Sequence, residues 1–408
     1  MHLTLSPSST KAGFSALDHR KRYRVSGLPP MMVRAAVLKA VGRLTVEDFP
    51  RPMVGSKALL MRVELCGICG TDIHLYHGRL RVPLPIIPGH EFVGRIEEID
   101  DEARSLEVLG HELSEGDLIT VVPGTNAFCG TCYYCRFIPQ RPNLCQNRRV
   151  LGVNMSCQHP PHLYGGWSEY VYVDAGHWWV YKVPEGMPPE VAALTEPMAV
   201  STRALERAFK PGLPTSGEGF SLGSTVVVQG VGPIGLLCVA AARLMGAGTI
   251  IAIDALDHRL RMAERMGADH TIDLKAYRTP EERVAEVERL TGGVGADVVI
   301  ECAGVPSALP EGIMMTRRGG RFIEIGHFTD PGPIEVRPHI ICWKDIDILG
   351  CWAYPPAQFR RALKALEMGL EAGLPLRELI TDRFPVEKAP EALRYAEQRK
   401  GLKIAITP

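Results

Sequence analysis

From Val33 to about Pro197 the apolar residues come in short runs: VRAAVL, ALLMRVELC, EFVGRIEEI, DLITVVP and SEYVYVD, parted by glycine and proline turns. Runs of that length and spacing predict the strands of a β-rich unit. Beyond it the rhythm changes. TVVVQG (225–230), TIIAID (249–254), ADVVIE (296–301) and RFIEIG (321–326) are short apolar runs with helix-like segments between them. Strands alternating with helices predict a parallel, doubly wound sheet. The tail from about Cys351 carries the helix-like FRRALKALEMG and PEALRYAEQ and finishes on KIAITP, a last strand. Residues 1–30 are polar and end in Gly-Leu-Pro-Pro, so they are expected to form a flexible extension, with the globular pattern starting at Met31 or Met32.

The chain has 408 residues, enough for two domains. Lysine plus arginine is 46 and aspartate plus glutamate is 46, so the formal net charge is zero, without the basic footprint of a nucleic-acid binder. The longest apolar stretch, from Thr225, is broken by glycines and an arginine and reads as buried strand–helix–strand, so no membrane association is expected. The N-terminus lacks the apolar core of a signal peptide, and a cytoplasmic location is expected. In that setting disulfides are disfavoured. Eleven cysteines, six of them in two clusters, then favour metal binding or catalysis.

Strand TVVVQ runs into GVGPIG (Gly230, Val231, Gly232, Pro233, Ile234, Gly235) and then a helix-like run. A G-x-G-x-x-G between strand and helix lets the backbone approach a pyrophosphate at the helix N-terminus. The next strand ends on Asp254, placed to bind a ribose 2′-hydroxyl and to repel a 2′-phosphate. NAD is therefore favoured over NADP, although Arg259 lies near enough to blur that preference. Cys129, Cys132, Cys135 and Cys145 match a closed four-thiolate structural zinc site. CGICGTDIHLYHG (66–78) is ambiguous by itself: its C-x-x-C could be a redox pair, half of a zinc knuckle or an accident. His90 and Glu91 follow in PGHEFVG. A cysteine, a histidine and a carboxylate with one position open describe a catalytic zinc. A further acid, Glu196, stands in the apolar LTEPMAV at the junction with the second unit.

CGICGTDIH, PGHEFVG, the four-cysteine lobe, GGWSEY, TEPMAV, GVGPIG with Asp254, and GADVVIECAG, in that order, resemble the zinc-dependent medium-chain alcohol dehydrogenases, in the sorbitol and threonine dehydrogenase branch. The resemblance implies an α/β protein: a GroES-like β-rich catalytic domain (31–196, structural zinc lobe near 124–148), a Rossmann domain (197–350) and a return to the catalytic domain (351–408). It implies two zinc ions per chain, catalytic and structural. Cys69, not Cys66, corresponds to the catalytic zinc thiolate. His90 corresponds to the histidine ligand. Glu91 and Glu196 correspond to acids that bind zinc directly, closely or through its water. Asp72 corresponds to the acid that orients the histidine, Thr71 to the hydroxyl that bonds the substrate alcohol, and His74 to the relay that passes its proton onward. Cys66 is then a small buried residue ending a strand, and His77 has no role. The resemblance also implies a homo-tetramer or dimer.

Two departures stand out. The lobe's last gap, RFIPQRPNL, is two residues longer than usual and should bulge outward. LGVNMSCQHPPHLY (151–164) looks like an inserted loop that shapes substrate access, with Cys157, His159 and His162 as a remote option for a third metal. Trp178 and Trp179 are expected to pack. The activity expected is oxidation of a secondary alcohol, polyol or hydroxy amino acid, a small molecule, with hydride transfer to NAD. The alternatives are a primary-alcohol or aldehyde enzyme of the same family and a non-catalytic, zinc-stabilised NAD-binding protein.

Overall fold

The computed structural model describes residues 31–124, 129–209 and 219–408; the N-terminal extension lies outside them. The β-rich part opens with an antiparallel ribbon, β1 (Met32–Ala40) and β2 (Arg43–Pro50). Next come β3 (Ala58–Gly67), β4 (Glu91–Ile99), β5 (Leu118–Val121), β6 (Tyr170–Asp174) and β7 (Val180–Lys182). The second part contributes β8 (Thr225–Gln229), β9 (Thr249–Asp254), β10 (His270–Asp273), β11 (Ala296–Glu301), β12 (Thr316–Glu324) and β13 (Asp347–Gly350). The tail supplies β14 (Ile380–Pro385) and β15 (Lys403–Thr407).

Strands β8 to β13 form one sheet in the order β10-β9-β8-β11-β12-β13, with every pair parallel. That is the doubly wound order whose strand direction of growth reverses between β8 and β11, where a crevice opens. Its strands are apolar throughout because helices cover both faces: Val226 to Val228, Ile250 to Ala252 and Val298 to Ile300 are all fully buried.

The other sheet has seven strands. β3 pairs along its length with β4, and its other flank is shared by β6 at the start and β15 at the end, which continues to β14. The last strand of the chain thus lies beside the strand that carries Cys66 and leads to Cys69. Helix Gln358–Glu371 sets Phe359 against Tyr181 of β7, with ring centroids 6.0 Å apart. Its Phe359, Ala362 and Leu366 share a core with Met198 and Ala199 of helix Thr195–Ala208 and with Leu236 and Val239 of helix Pro233–Leu244. Leu65 and Val93 of the seven-stranded sheet belong to that same core, so the two sheets are joined by continuous apolar packing. Trp178 is buried and gives its indole N–H to the Pro123 carbonyl, and Trp179 packs against the core, as expected.

Candidate active site

The short helix Gly70–Tyr76 leaves the end of β3 with Cys69 as its N-cap. Asp72, three residues on, accepts the Cys69 backbone N–H at 2.8 Å and that of Gly89 at 3.3 Å. One carboxylate therefore ties the helix start to the turn before His90. Its Oδ1 lies 3.8 Å from His90 Nδ1, an electrostatic contact rather than a hydrogen bond. Donor atoms of Cys69, His90 and Glu91 all lie within 4.8 Å of one another. His90 Nδ1 is buried and has no hydrogen-bond partner. Burial opposes protonation of His90, yet Cys69, Asp72 and Glu196 outweigh it and pull its pKa up to about 10. A pocket that holds a positive charge that strongly is fitted to a cation. Cys66 behaves differently: it is fully buried and burial pushes its thiol well above the usual range. It ends its strand as a packing residue.

The carboxylate of Glu91 is fully buried and forms an ion pair with Lys403 Nζ, which is itself 3% exposed. Gly67 sits between them in the sheet, and a side chain there would run into the Glu91 carboxylate and come within 2.7 Å of Lys403 Cε. Lys403 escaped the sequence reading. Its only signal was a lysine at the head of the apolar strand KIAIT. Glu196 lies outside the three-donor group and accepts the Tyr354 hydroxyl at 2.8 Å. Burial raises the pKa of Glu196, and burial followed by the Glu196 charge raises that of Tyr354. Tyr354 was also unforeseen.

Thr71 Oγ1 lies 3.6 Å from Cys69 Sγ. His74, one helical turn from Thr71, is partly buried. Its Nδ1 is 3.4 Å from Arg79 Nη1 and 3.2 Å from Thr329 Oγ1, and Phe328 packs edge-on at 4.8 Å. A guanidinium can only donate, so Nδ1 of a neutral His74 accepts and Nε2 carries the proton. Burial, then Arg79 and His77, lower the pKa of His74. His77 is exposed and pairs with Glu397 at 2.7 Å.

Cys129, Cys132, Cys135 and Cys145 come together with all four sulfurs within 4.8 Å, although 125–128 of the lobe lie outside the described residues. The longer gap does face outward: Phe137 is 69% exposed and 139–141 are exposed, while Asn143 turns in and donates to the Trp352 carbonyl. The inserted loop does not gather a metal set among the described residues. Cys157 is buried against Pro85, and the ring of His162 bonds the Cys157 carbonyl at 2.8 Å.

At the crevice of the parallel sheet, Gly230 has φ +82°, and a Cβ there would lie 2.7 Å from Ala303 Cα, so only glycine fits. Gly232 caps the helix that begins at Pro233 and continues through Ile234 and Gly235. Asp254 accepts the Val231 N–H at 3.0 Å and the Ala255 and Leu256 N–H groups, with Arg259 Nη1 at 3.7 Å. Nearby, Glu301, Glu324 and His327 form a third cluster at the ends of β11 and β12. Glu301 accepts the N–H groups of Ala303 and Gly304, both at 2.8 Å. Burial, then the charge of Glu324, raises its pKa to about 7.

Residues 55–185 match the alcohol dehydrogenase GroES-like domain family, and residues 233–368 match the zinc-binding dehydrogenase family. The sorbitol dehydrogenase of Bacillus subtilis is 31% identical over 93% of this chain and 98% of its own. The 5-exo-hydroxycamphor dehydrogenase of Pseudomonas putida is 33% identical over 89% and 95%. This chain is a zinc-dependent medium-chain alcohol dehydrogenase of the sorbitol/threonine dehydrogenase branch. In the crystal structure of an alcohol dehydrogenase from Thermotoga maritima, 32% identical, the dehydrogenase finds a match over 93% of its length and all of that chain, with TM-score 0.82. A zinc-binding dehydrogenase of Sinorhizobium meliloti, solved bound to NADP, matches with TM-score 0.77 at 31% identity over 93% of this chain and all of that one. Its fold is accordingly the GroES-like domain joined to a Rossmann sheet.

Two predictions follow from the buried charges. Lys403→Met leaves Glu91 buried without its counter-charge and should cost about 3–5 kcal/mol, read as a fall in thermal midpoint that Glu91→Gln in the same chain largely reverses. Glu301 has a folded pKa near 7 against an ordinary value of 4.5, so its folded form binds the proton more tightly. Its contribution to stability is present below pH 4.5 and is lost as pH rises through 7. Glu301→Gln should flatten that part of the stability–pH curve in denaturant titrations; an unchanged slope would assign it to other groups.

Proposed function

We propose that the dehydrogenase oxidises a secondary alcohol, a polyol or a hydroxy amino acid to the carbonyl compound, passing hydride to NAD. The observation that carries this reading is the incomplete donor set of Cys69, His90 and Glu91, with the Thr71 hydroxyl 3.6 Å from the cysteine sulfur. The relatives include dehydrogenases named for sorbitol, L-threonine and erythritol/L-threitol, which supports a vicinal hydroxyl or amino group beside the reacting carbon.

Cys69, His90 and Glu91 would hold the catalytic zinc, with Glu196 acting at the open position. The four-cysteine lobe would hold a structural one. Zinc in such a site supplies a Lewis acid that stabilises the alkoxide, and NAD supplies the hydride acceptor. The chain's own residues do the rest. Lys403 holds the Glu91 carboxylate in place through their ion pair. Asp72 fixes the two turns that aim Cys69 and His90. Thr71 takes the hydrogen bond of the alcohol hydroxyl, and the proton leaves by way of His74, whose lowered pKa keeps it neutral and able to accept. Gly230, Gly232 and the helix start at Pro233 would cradle the pyrophosphate. The Asp254 carboxylate, already bonded to three backbone N–H groups, supports NAD over NADP because a 2′-phosphate would meet its charge.

The catalytic unit would comprise 31–196 and 351–408, and the cofactor unit 197–350, since strands from both ends of the chain share the seven-stranded sheet. A cytoplasmic homo-oligomer, tetramer or dimer, is proposed. Edge strand β13, with Ile348 39% exposed and Trp343 54% exposed nearby, is a surface a second copy could cover. Among the described residues, no helix is long and apolar enough to cross a membrane.

NAD and NADP reduction followed at 340 nm over a panel of primary alcohols, secondary alcohols, polyols and hydroxy amino acids tests the reading. Secondary alcohols with NAD should lead, and Thr71→Val should lower kcat by about 10²-fold or more. Turnover confined to primary alcohols, or untouched in the Thr71 variant, would sink it.

A further inference from the structure

The long last gap of the four-cysteine lobe, RFIPQRPNL, carries one residue that turns inward. Asn143 stands in the short turn Pro142–Leu144, two residues before Cys145, is buried, and donates Nδ2 to the Trp352 carbonyl at 3.1 Å. The same carbonyl accepts Arg203 Nη1 at 2.8 Å, and Nη1 also donates to the Ala353 carbonyl. Ala353 has φ +49°, a left-handed backbone that a residue with a Cβ seldom adopts and keeps only where its surroundings hold it. The next residue is Tyr354. It is buried, its ring packs against Phe359 with centroids 5.5 Å apart, and its hydroxyl donates to Glu196 Oε1 at 2.8 Å.

The path closes on one helix. Glu196 and Arg203 both belong to helix Thr195–Ala208 and stand seven residues apart, two turns along one face. Arg203 grips the 352–353 backbone, and Glu196 receives the Tyr354 hydroxyl. The lobe grips the same backbone through Asn143. Among the described residues, no other hydrogen bond reaches the Glu196 carboxylate. Its placement therefore depends on Tyr354, and the placement of Tyr354 on a carbonyl shared between helix and lobe.

We propose that Tyr354 is a positioning residue for Glu196, and that the four-cysteine lobe holds Tyr354 in that pose through Asn143. This rests on the reading above, in which Glu196 acts at the open metal position. Tyr354 touches neither substrate nor cofactor in this scheme; it presents a carboxylate. Its hydroxyl engages Oε1, so Oε2 is the oxygen left for that work. The lobe then has a part in the reaction besides stabilising the fold.

The test compares Tyr354→Phe, Asn143→Leu and the double variant in the full-length protein with both metal sites filled. Tyr354→Phe should lower kcat/KM with NAD and the leading alcohol of the panel above by about 10-fold or more, the scale of one hydrogen bond to a charged group. Asn143→Leu should lower it roughly 3-fold, the scale of a neutral hydrogen bond. The double variant should fall no further than Tyr354→Phe alone, because both changes act through one contact. Losses that multiply, or full activity in either single variant, would overturn the proposal. A second readout needs no turnover. Co²⁺ is placed in the open site with zinc kept in the lobe, and its visible absorption bands are recorded. Both single variants should shift these bands in the same direction, since both release Glu196 from its pose, whereas a Tyr354 that only stabilised the fold would leave them in place. The matching shift supports the positioning of Glu196 even in a protein that oxidises none of the alcohols. Wild-type bands in both variants of a working dehydrogenase would overturn the proposal and leave the dehydrogenase reading standing.

Discussion

The ion pair between Glu91 and Lys403 is the constraint on which the site depends. Burying two charges is expensive, and their attraction offsets that cost only when they are held together with good geometry. Here the sheet does the holding. Glu91 opens β4, Lys403 opens β15, and Gly67 of β3 lies between them with no side chain to part them. His90 is the residue beside Glu91, and Cys69 is two residues past Gly67. The pair that fixes the sheet thus fixes two of the three donors.

A second chain of contacts joins the cofactor sheet to the proton path. Phe328 and Thr329 follow β12 and reach His74, while Tyr354 follows β13 and reaches Glu196. The elements that would position a dinucleotide therefore also touch the groups that would handle the proton and the zinc water. In this arrangement the open donor set and the closed four-cysteine set have opposite environments. The closed set sits in a lobe whose outer residues are exposed, whereas His90, Glu91 and Asp72 lie deep in the protein.

Much of this was legible in the sequence because it is local. The glycine turn at 230–235, the four cysteines within seventeen positions, and Thr71, Asp72 and His74 on one short helix are patterns whose members are near neighbours in the chain. The doubly wound sheet was legible because buried parallel strands have to be apolar throughout. What escaped is non-local. Thr329 meets His74 across 255 positions, and Tyr354 meets Glu196 across 158. Lys403 stands at the far end of the chain from Glu91, and nothing in KIAIT distinguishes a buried lysine from a surface one. The apolar face of the helix at 358–371 packs on helices Thr195–Ala208 and Pro233–Leu244 and also meets Tyr181 of β7, so one face serves both sheets. Amphipathicity predicts that a face is buried but not against what.

Cys69, His90 and Glu91 are proposed to form an open metal site distinct from the closed four-cysteine one. Anomalous diffraction at the zinc absorption edge from crystals of the intact chain addresses it directly. The account predicts two peaks per chain, one amid the four lobe sulfurs and one about 2.3 Å from Cys69 Sγ and about 2.0–2.1 Å from a His90 ring nitrogen. A lobe peak alone, from protein shown to oxidise its alcohol, would contradict it.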